Sequence, residues 1–390
     1  MNLCVLTDKY PPDVGGLAVS TRRLVQGLGR AGHTVCVSTL AASVAPGIVN
    51  TWHDDGVTVH RIGSHRRADD TAADWFDHVV ALHARHHLDL IHAMYVTQSA
   101  FVTVTAAHYL GVPSVVSARG NDLDRAAFDP GKFSQISFAL QNASAVTVVT
   151  TDLARKASAL APGCQPQFVP NGVDTALFSP GPRDATLAAL LGLGDAPVIA
   201  FVGEARQKKG LTILLPALAQ VCAQHNPCPV LLLVGGVRKD DEPILEVFQR
   251  QNPALHVCIV PNIPHKQLPA YYRLADVLAI PSLRDGMPNA LLEGMACERA
   301  AIASSVGGMP DVVCNGENGL LVPPGDVSTL ADAILSLLAD PVRRAQLGRA
   351  ARATVESDFT PERELERNLE IYRSVTPALP KGCGASVRET

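Results

Sequence analysis
At 390 residues the chain is too long for one typical core and suggests roughly two domains of about 150 to 200 residues. With 47% apolar and 18% charged residues and a formal net charge of -4, it reads as a soluble globular protein with no basic excess for nucleic acid. Nine cysteines without a C-x-x-C pair indicate neither a disulfide framework nor a zinc ribbon, and a reducing cytoplasm is the natural setting.

From the start of the chain, "MNLCVLTDKY" reads as a first strand rather than a signal peptide. Nowhere do about 18 apolar residues run together as a membrane-spanning helix requires, which leaves peripheral membrane contact open. "KYPPDVGG" leads into a helix over about 17 to 30, with Leu17, Leu24, Val25 and Leu28 on one face. "HTVCVSTL", "VTVHRIG", "DLIHAMYV", "PSVVSAR", "AVTVVTT" and "PQFVPNG" follow as strands, most separated by helical stretches such as "WFDHVVALHARHH". Such alternation predicts a parallel sheet covered on both faces.

The turn-rich "FSPGPRDATLAALLGLGDAP" suits a linker, after which the pattern restarts. "PVIAFVGE", "PVLLLVGG", "LHVCIVP", "DVLAIPS", "AAIASSVGG" and "GLLVPP" form a second strand series, again interleaved with helices. "TLADAILSLLAD" and "ERELERNLEIYRSV" read as amphipathic helices, and the last ten or so residues as a loose tail. The fold class is therefore α/β, two similar domains across a cleft. Their expected spans are 1–178 and 190–355, with a helix over about 360–376 packing back on the first.

Several local motifs lose on inspection. "GLGRAG", Gly27 to Gly32, matches a dinucleotide fingerprint but follows a helix and precedes a strand, the reverse of what pyrophosphate binding needs, so a helix C-terminal glycine cap is the better account. Asp122 and Asp124 in "NDLD" have a metal-holding D-x-D spacing, yet a capping or turn role for one of them fits better. His83 and His87 stand four apart on a helix without a recognisable third ligand and read as surface histidines. Neither a G-x-S-x-G elbow nor a P-loop occurs.

"PSLRDGMPNALLEGMACE" carries the chemistry. A strand delivers the chain to "LRDGMPN", where Asn289 can cap the helix that follows and its first unpaired amides form an anion site suited to a diphosphate. Gly286 lets backbone approach a ligand, ionised Asp285 accepts from sugar hydroxyls, and Glu293 one turn on can grip the two hydroxyls of a ribose. The blander account makes Asp285 a turn residue and Glu293 a complement to the helix dipole.

Seven residues separate Asp285 from Glu293, and with that spacing the segment resembles the retaining family 4 glycosyltransferases of the two-Rossmann-domain (GT-B) class, whose first acid is more often glutamate. "FVGEARQKKG" resembles that family's motif in which a basic pair neutralises the donor diphosphate. Glu204 replaces the usual arginine, and the roles fall to Arg206 and Lys209. "YPPDVGG", with Gly15 and Gly16, resembles a glycine loop that approaches the donor. "VPNGVD" resembles the end of the first domain, and "NIPHKQLPAYYRLADV" the stretch whose backbone reads the base, with Asn262 at that position. In "VVSARGND", Arg119 stands where the family often has histidine.

The resemblance implies a metal-independent, front-face transfer of a hexose-type unit from a nucleotide diphosphate sugar, UDP-sugar over GDP-sugar, in glycan, glycolipid or glycosylated-metabolite biosynthesis. Arg206, Lys209, Asp285 and Arg119 are the implied catalytic residues, and Gly15, Gly16, Asn262, Gly286, Met287, Pro288, Asn289 and Glu293 bind the donor. His92 and Asp122 fall on the acceptor side. No metal and no cofactor besides the donor is expected, and the acceptor is a glycan, a lipid-linked sugar or a small metabolite. Arg22, Arg23, Arg66 and Arg67 could meet lipid phosphates at the inner face of a membrane or an anionic acceptor, though balancing aspartates fit solvated surface equally. A catalytically silent nucleotide-sugar binder and a sugar-nucleotide epimerase are the alternatives.

Overall fold
In a computed structural model, which describes residues 1–13 and 15–376, the chain divides into two units. The first comprises Met1–Val148, Ala154–Val169 and the chain from Leu365; the second comprises Val149–Leu153 and Pro170–Glu364. The expected C-terminal tail falls largely outside the described residues.

The N-terminal unit is built on β1 (Asn2–Thr7), β2 (Thr34–Pro46), β3 (Val49–Asp54), β4 (Val57–Gly63), β5 (Leu90–Ala93), β6 (Ser114–Ala118), β7 (Ala145–Val148) and β8 (Gln167–Phe168). They form one sheet in the order β3-β4-β2-β1-β5-β6-β7-β8. Alternate residues of β1 face opposite layers, as the pleat requires. Leu3 and Val5 pack with Val25 and Leu28 of helix Gly16–Arg30 and with Ile371 and Tyr372 of helix Pro361–Val375. Cys4 and Leu6 pack instead with Trp75, Val79 and Leu82 of helix Ala68–His86. Each such fully buried aliphatic side chain contributes about 1.5 to 3 kcal/mol.

The sheet is not wholly parallel, because β3 pairs antiparallel with β4. Asp55 and Gly56 link them with positive φ angles of 51° and 84°, the turn chemistry that a D-G pair between strands favours. After Gly27 and Gly29 inside the first helix, Gly32 turns the chain out at φ 84°, so "GLGRAG" ends a helix as expected. His83 is half-buried rather than exposed, with its ring 6.5 Å from that of His87.

The C-terminal unit contains β9 (Val198–Val202), β10 (Val230–Val234), β11 (Val257–Val260), β12 (Val277–Ile280), β13 (Ala300–Ser304) and β14 (Leu320–Val322), all parallel. Their order, β11-β10-β9-β12-β13-β14, reverses direction between β9 and β12. Ile199 and Phe201 pack on Leu214 and Leu218 of helix Leu211–Gln224 and on Leu330 and Ile334 of helix Val327–Ala339. Val198, on the other face, packs with Leu232, Ala188 and Leu193.

The stretch expected as a linker thus carries a helix, Ala185–Leu190, capped by Asp184 and packed on this sheet. A further helix, Pro341–Asp358, had not been foreseen: its apolar residues are too sparse for a clear stripe, although Leu347, Ala351 and Val355 are buried. Cys222 and Cys228 are joined as a disulfide at the end of helix Leu211–Gln224, a local pairing and not a framework of the kind the cysteine pattern argued against. Their Cα atoms lie 4.5 Å apart, a separation set by local chain reversal and invisible in the spacing. No helix among the described residues is long and apolar enough to cross a membrane.

Candidate functional site
In open parallel sheets, ligands favour the carboxyl ends of strands where the strand order reverses. In the C-terminal unit that point lies between β9 and β12. The loops leaving these strands are in contact: the Leu283 amide donates to the Lys208 carbonyl at 3.0 Å. Gly210 has φ 85°, and a Cβ there would overlap the Pro281 carbonyl oxygen. The loop after β13 closes on the same place. Gly307, at φ 56°, leaves no room for a Cβ beside the Asp285 carbonyl oxygen, and the Gly308 amide donates to the Gly286 carbonyl at 3.0 Å.

This stacking brings together residues far apart in sequence. The Lys209 ammonium is paired directly with the Asp285 carboxylate. Ser282 Oγ donates to the same oxygen at 3.3 Å, and the Gly286 amide donates to the other at 3.1 Å. Arg206 Nη1 stands 3.3 Å from Glu204 Oε2, while Arg206 Nε is buried without a hydrogen-bond partner. Arg206, Lys209, Asp285 and Gly286 are therefore assembled at one edge, and both cations carry a counter-ion.

Met287 and the extended Pro288 are buried and lead into helix Asn289–Ala296. Pro288, not Asn289, is the N-cap, and the Asn289 side chain makes no capping bond. Its oxygen is taken by Asn171 Nδ2 at 3.0 Å, which explains why the expected cap fails. The first-turn amides of this helix thus have no side-chain cap.

Glu293, expected to grip the two hydroxyls of a ribose, has a partner of this chain on each oxygen. Tyr272 Oη donates at 2.7 Å and His265 Nε2 lies at 2.9 Å, leaving the Glu293 side chain 7% exposed. Burial first, and then the Glu293 charge, push the Tyr272 hydroxyl well above its ordinary range. The His265 ring, 41% exposed, rests edge-on against Phe178 with centroids 5.0 Å apart. Asn262 is exposed in the loop after β11.

The remaining expected residues belong to the N-terminal unit. Gly15 is the N-cap of helix Gly16–Arg30, after β1 and near that sheet's own reversal. Arg119 follows β6, and its amide donates to Asp122 Oδ2 at 2.9 Å.

Asp122 and His92, the two residues assigned to the acceptor side, are both buried with their polar atoms engaged within the N-terminal unit. Asp122 is fully buried and accepts the amides of Val96, Arg119, Gly120 and Leu123, turning the loop as one of the sequence alternatives had it. Burial raises its carboxyl, and those four amides oppose the rise. Asp124 pairs with Lys156. His92 is 1% exposed, with Nδ1 2.7 Å from Tyr372 Oη and Nε2 2.7 Å from Ser117 Oγ, and burial pushes it down to about 3. Arg22 is paired with Asp54 and Arg67 with Asp69. Among the described residues, no group of three His, Cys, Asp or Glu has metal-holding geometry.

Sequence reasoning missed His265, Tyr272, Gly210 and Gly307. Only the Gly-Gly after "AAIASSV" gave a signal, as a site of close backbone approach; His265 and Tyr272 reach Glu293 only through the fold.

Residues 185–354 match the profile of Glycosyl transferases group 1, and residues 15–172 that of a Glycosyl transferase 4-like domain. A D-inositol 3-phosphate glycosyltransferase from Kineococcus radiotolerans is 30% identical over 93% of this chain and 91% of its own. The chain belongs to the group 1 glycosyltransferases. It is accordingly a glycosyltransferase with the GT-B fold. Another relative, a GDP-mannose-dependent alpha-(1-6)-phosphatidylinositol monomannoside mannosyltransferase from Mycolicibacterium smegmatis, is 35% identical over 51% of this chain; the match spans about half of that relative, 53%. Among solved structures, sucrose-phosphate synthase from Thermosynechococcus elongatus superposes on this group 1 chain with a TM-score of 0.81 and 26% identity, over 96% of this chain and 98% of that one.

Proposed function
We propose that this glycosyltransferase moves a hexose-type sugar from a nucleoside diphosphate sugar to an acceptor hydroxyl, with retained anomeric configuration and no metal ion. The observation that carries this reading is the meeting of Arg206, Lys209 and Asp285 at the reversal of the C-terminal sheet, beside the uncapped start of helix Asn289–Ala296. The donor diphosphate lies against these cations and first-turn amides. As the glycosidic bond breaks, negative charge grows on the departing diphosphate, and fixed donors of this kind are worth about 10²- to 10³-fold each in kcat. Asp285, an acceptor through both oxygens, uses its remaining lone pairs for sugar hydroxyls. Glu293 does the same for ribose while Tyr272 and His265 hold it, and backbone near Asn262 meets the base.

In the front-face step, the acceptor oxygen bonds to the anomeric carbon on the face that the diphosphate leaves. The old carbon–oxygen electron pair goes to the diphosphate, whose oxygen takes the acceptor's proton. No side chain need act as base, which suits Arg119, a group that only donates. Its task is to bind a donor or acceptor oxygen.

UDP-sugars are the first donors to test, with GDP-mannose second because of the mannosyltransferase relative's name. The inositol phosphate glycosyltransferase relative makes a phosphorylated polyol the first acceptor, followed by a lipid-linked sugar, which would bring the protein to the inner face of a membrane. The test is release of nucleoside diphosphate together with the product's anomeric configuration by NMR. Donor binding without turnover across the acceptor panel marks a silent binder, and donor conversion without acceptor marks an epimerase.

A further inference from the structure
The two cations assigned to the diphosphate already hold acids of this chain, and the two pairs are not alike. Lys209 and Asp285 are 26% and 14% exposed, with Asp285 braced by Ser282 and the Gly286 amide. Arg206 and Glu204 are more open, at 31% and 53%, with 3.3 Å between the charged atoms. The chain around Glu204 is anchored, since the Gly203 amide donates to the Val234 carbonyl at 2.7 Å and the Ala205 amide to the Gly236 carbonyl at 2.9 Å. Arg206 Nε is buried with its hydrogen-bonding capacity unused. A guanidinium has a fork of donors matched to phosphate oxygens, and here one carboxylate occupies one arm.

We propose that Glu204 is an intramolecular counter-charge that competes with the diphosphate for Arg206 and so weakens the hold on both donor and departing nucleoside diphosphate. This rests on the donor reading given above. An exposed ion pair is weakly held, so an incoming diphosphate displaces it. Because the backbone on both sides of Glu204 is fixed, the displaced carboxylate stays near the bound anion and repels it. Once transfer has occurred, return of Glu204 to Arg206 speeds product release.

The test is calorimetric titration of UDP and GDP into the full chain, as wild type, Glu204→Gln, Arg206→Gln and the double variant, at low and high salt. Glu204→Gln should bind the nucleotide about 3- to 10-fold tighter at low salt, with the gain shrinking at high salt. Its donor KM should fall in step, and the gain should vanish in the Arg206→Gln background. Equal or weaker binding by Glu204→Gln overturns the proposal, as does an undiminished gain without Arg206. Either result leaves the donor reading standing if the wild type binds nucleotide. A wild type that binds neither UDP nor GDP overturns the donor reading and the counter-charge role with it.

Discussion

A buried carboxylate persists in a fold only if its oxygens are matched, and Glu293 is matched twice, by Tyr272 Oη at 2.7 Å and His265 Nε2 at 2.9 Å. Tyr272→Phe would leave one oxygen with an unmet bond, at a cost of about 1 to 3 kcal/mol, and should be read by urea unfolding. If Glu293 binds the ribose, donor KM should rise in the same variant with kcat little changed. An unchanged KM would make the Tyr272–Glu293 bond purely structural. The spacing of Asp285 and Glu293 was legible because a seven-residue interval needs no tertiary knowledge. The partners of Glu293 were not, because a tyrosine 21 residues upstream gives no local sign of where its hydroxyl ends.

The strands were legible because β-branched and aliphatic runs in parallel sheets are nearly continuous. Three elements escape the sequence reading for local reasons: strand β3 lies before an Asp-Gly turn, helix Ala185–Leu190 sits in a turn-rich stretch, and the Pro341–Asp358 helix buries too narrow a stripe to stand out. The loops around the site depend on missing side chains. At Gly307, alanine must accept a left-handed conformation, costing about 1 to 2 kcal/mol, and also displace the Asp285 carbonyl. Gly307→Ala should therefore lower the melting temperature and reduce kcat/KM by at least about tenfold, the effect of moving positioned groups by a fraction of an ångström. Wild-type kinetics in a folded Gly307→Ala protein would show that the loop can yield without disturbing Asp285.

At the scale of the whole molecule, a buried polar chain joins the last described helix to the centre of the N-terminal sheet. Tyr372, on the last described helix, bonds His92 of β5, which bonds Ser117 of β6, which in turn meets Thr147 of β7. The pattern of a sheet covered on both faces could be read from the alternation of strands and helices, whereas this polar chain could not, since His92 resembles any other histidine until the sheet closes around it. Burial holds His92 at about 3, below the ordinary value of 6.5, so the unfolded chain takes up a proton first as pH falls. The stabilising contribution is complete above about pH 6.5 and declines below it by about 1.4 kcal/mol per pH unit. The buried, raised carboxyls of Asp8 and Asp122 act in the opposite sense, so the comparison must be between wild type and His92→Gln. From about pH 7.5 to about pH 5, wild type should lose about 2 kcal/mol more in urea unfolding than the variant, and parallel pH profiles would refute the assignment.

The central claim is that positive side chains at the β9/β12 reversal hold a departing diphosphate. Single-turnover transfer from a nucleotide sugar, compared among wild type, Lys209→Gln and Arg206→Gln, tests it most directly. Each charge removal should slow the chemical step by about 10²-fold or more while the fold melts as before. Rates within about twofold of wild type in both variants would contradict it.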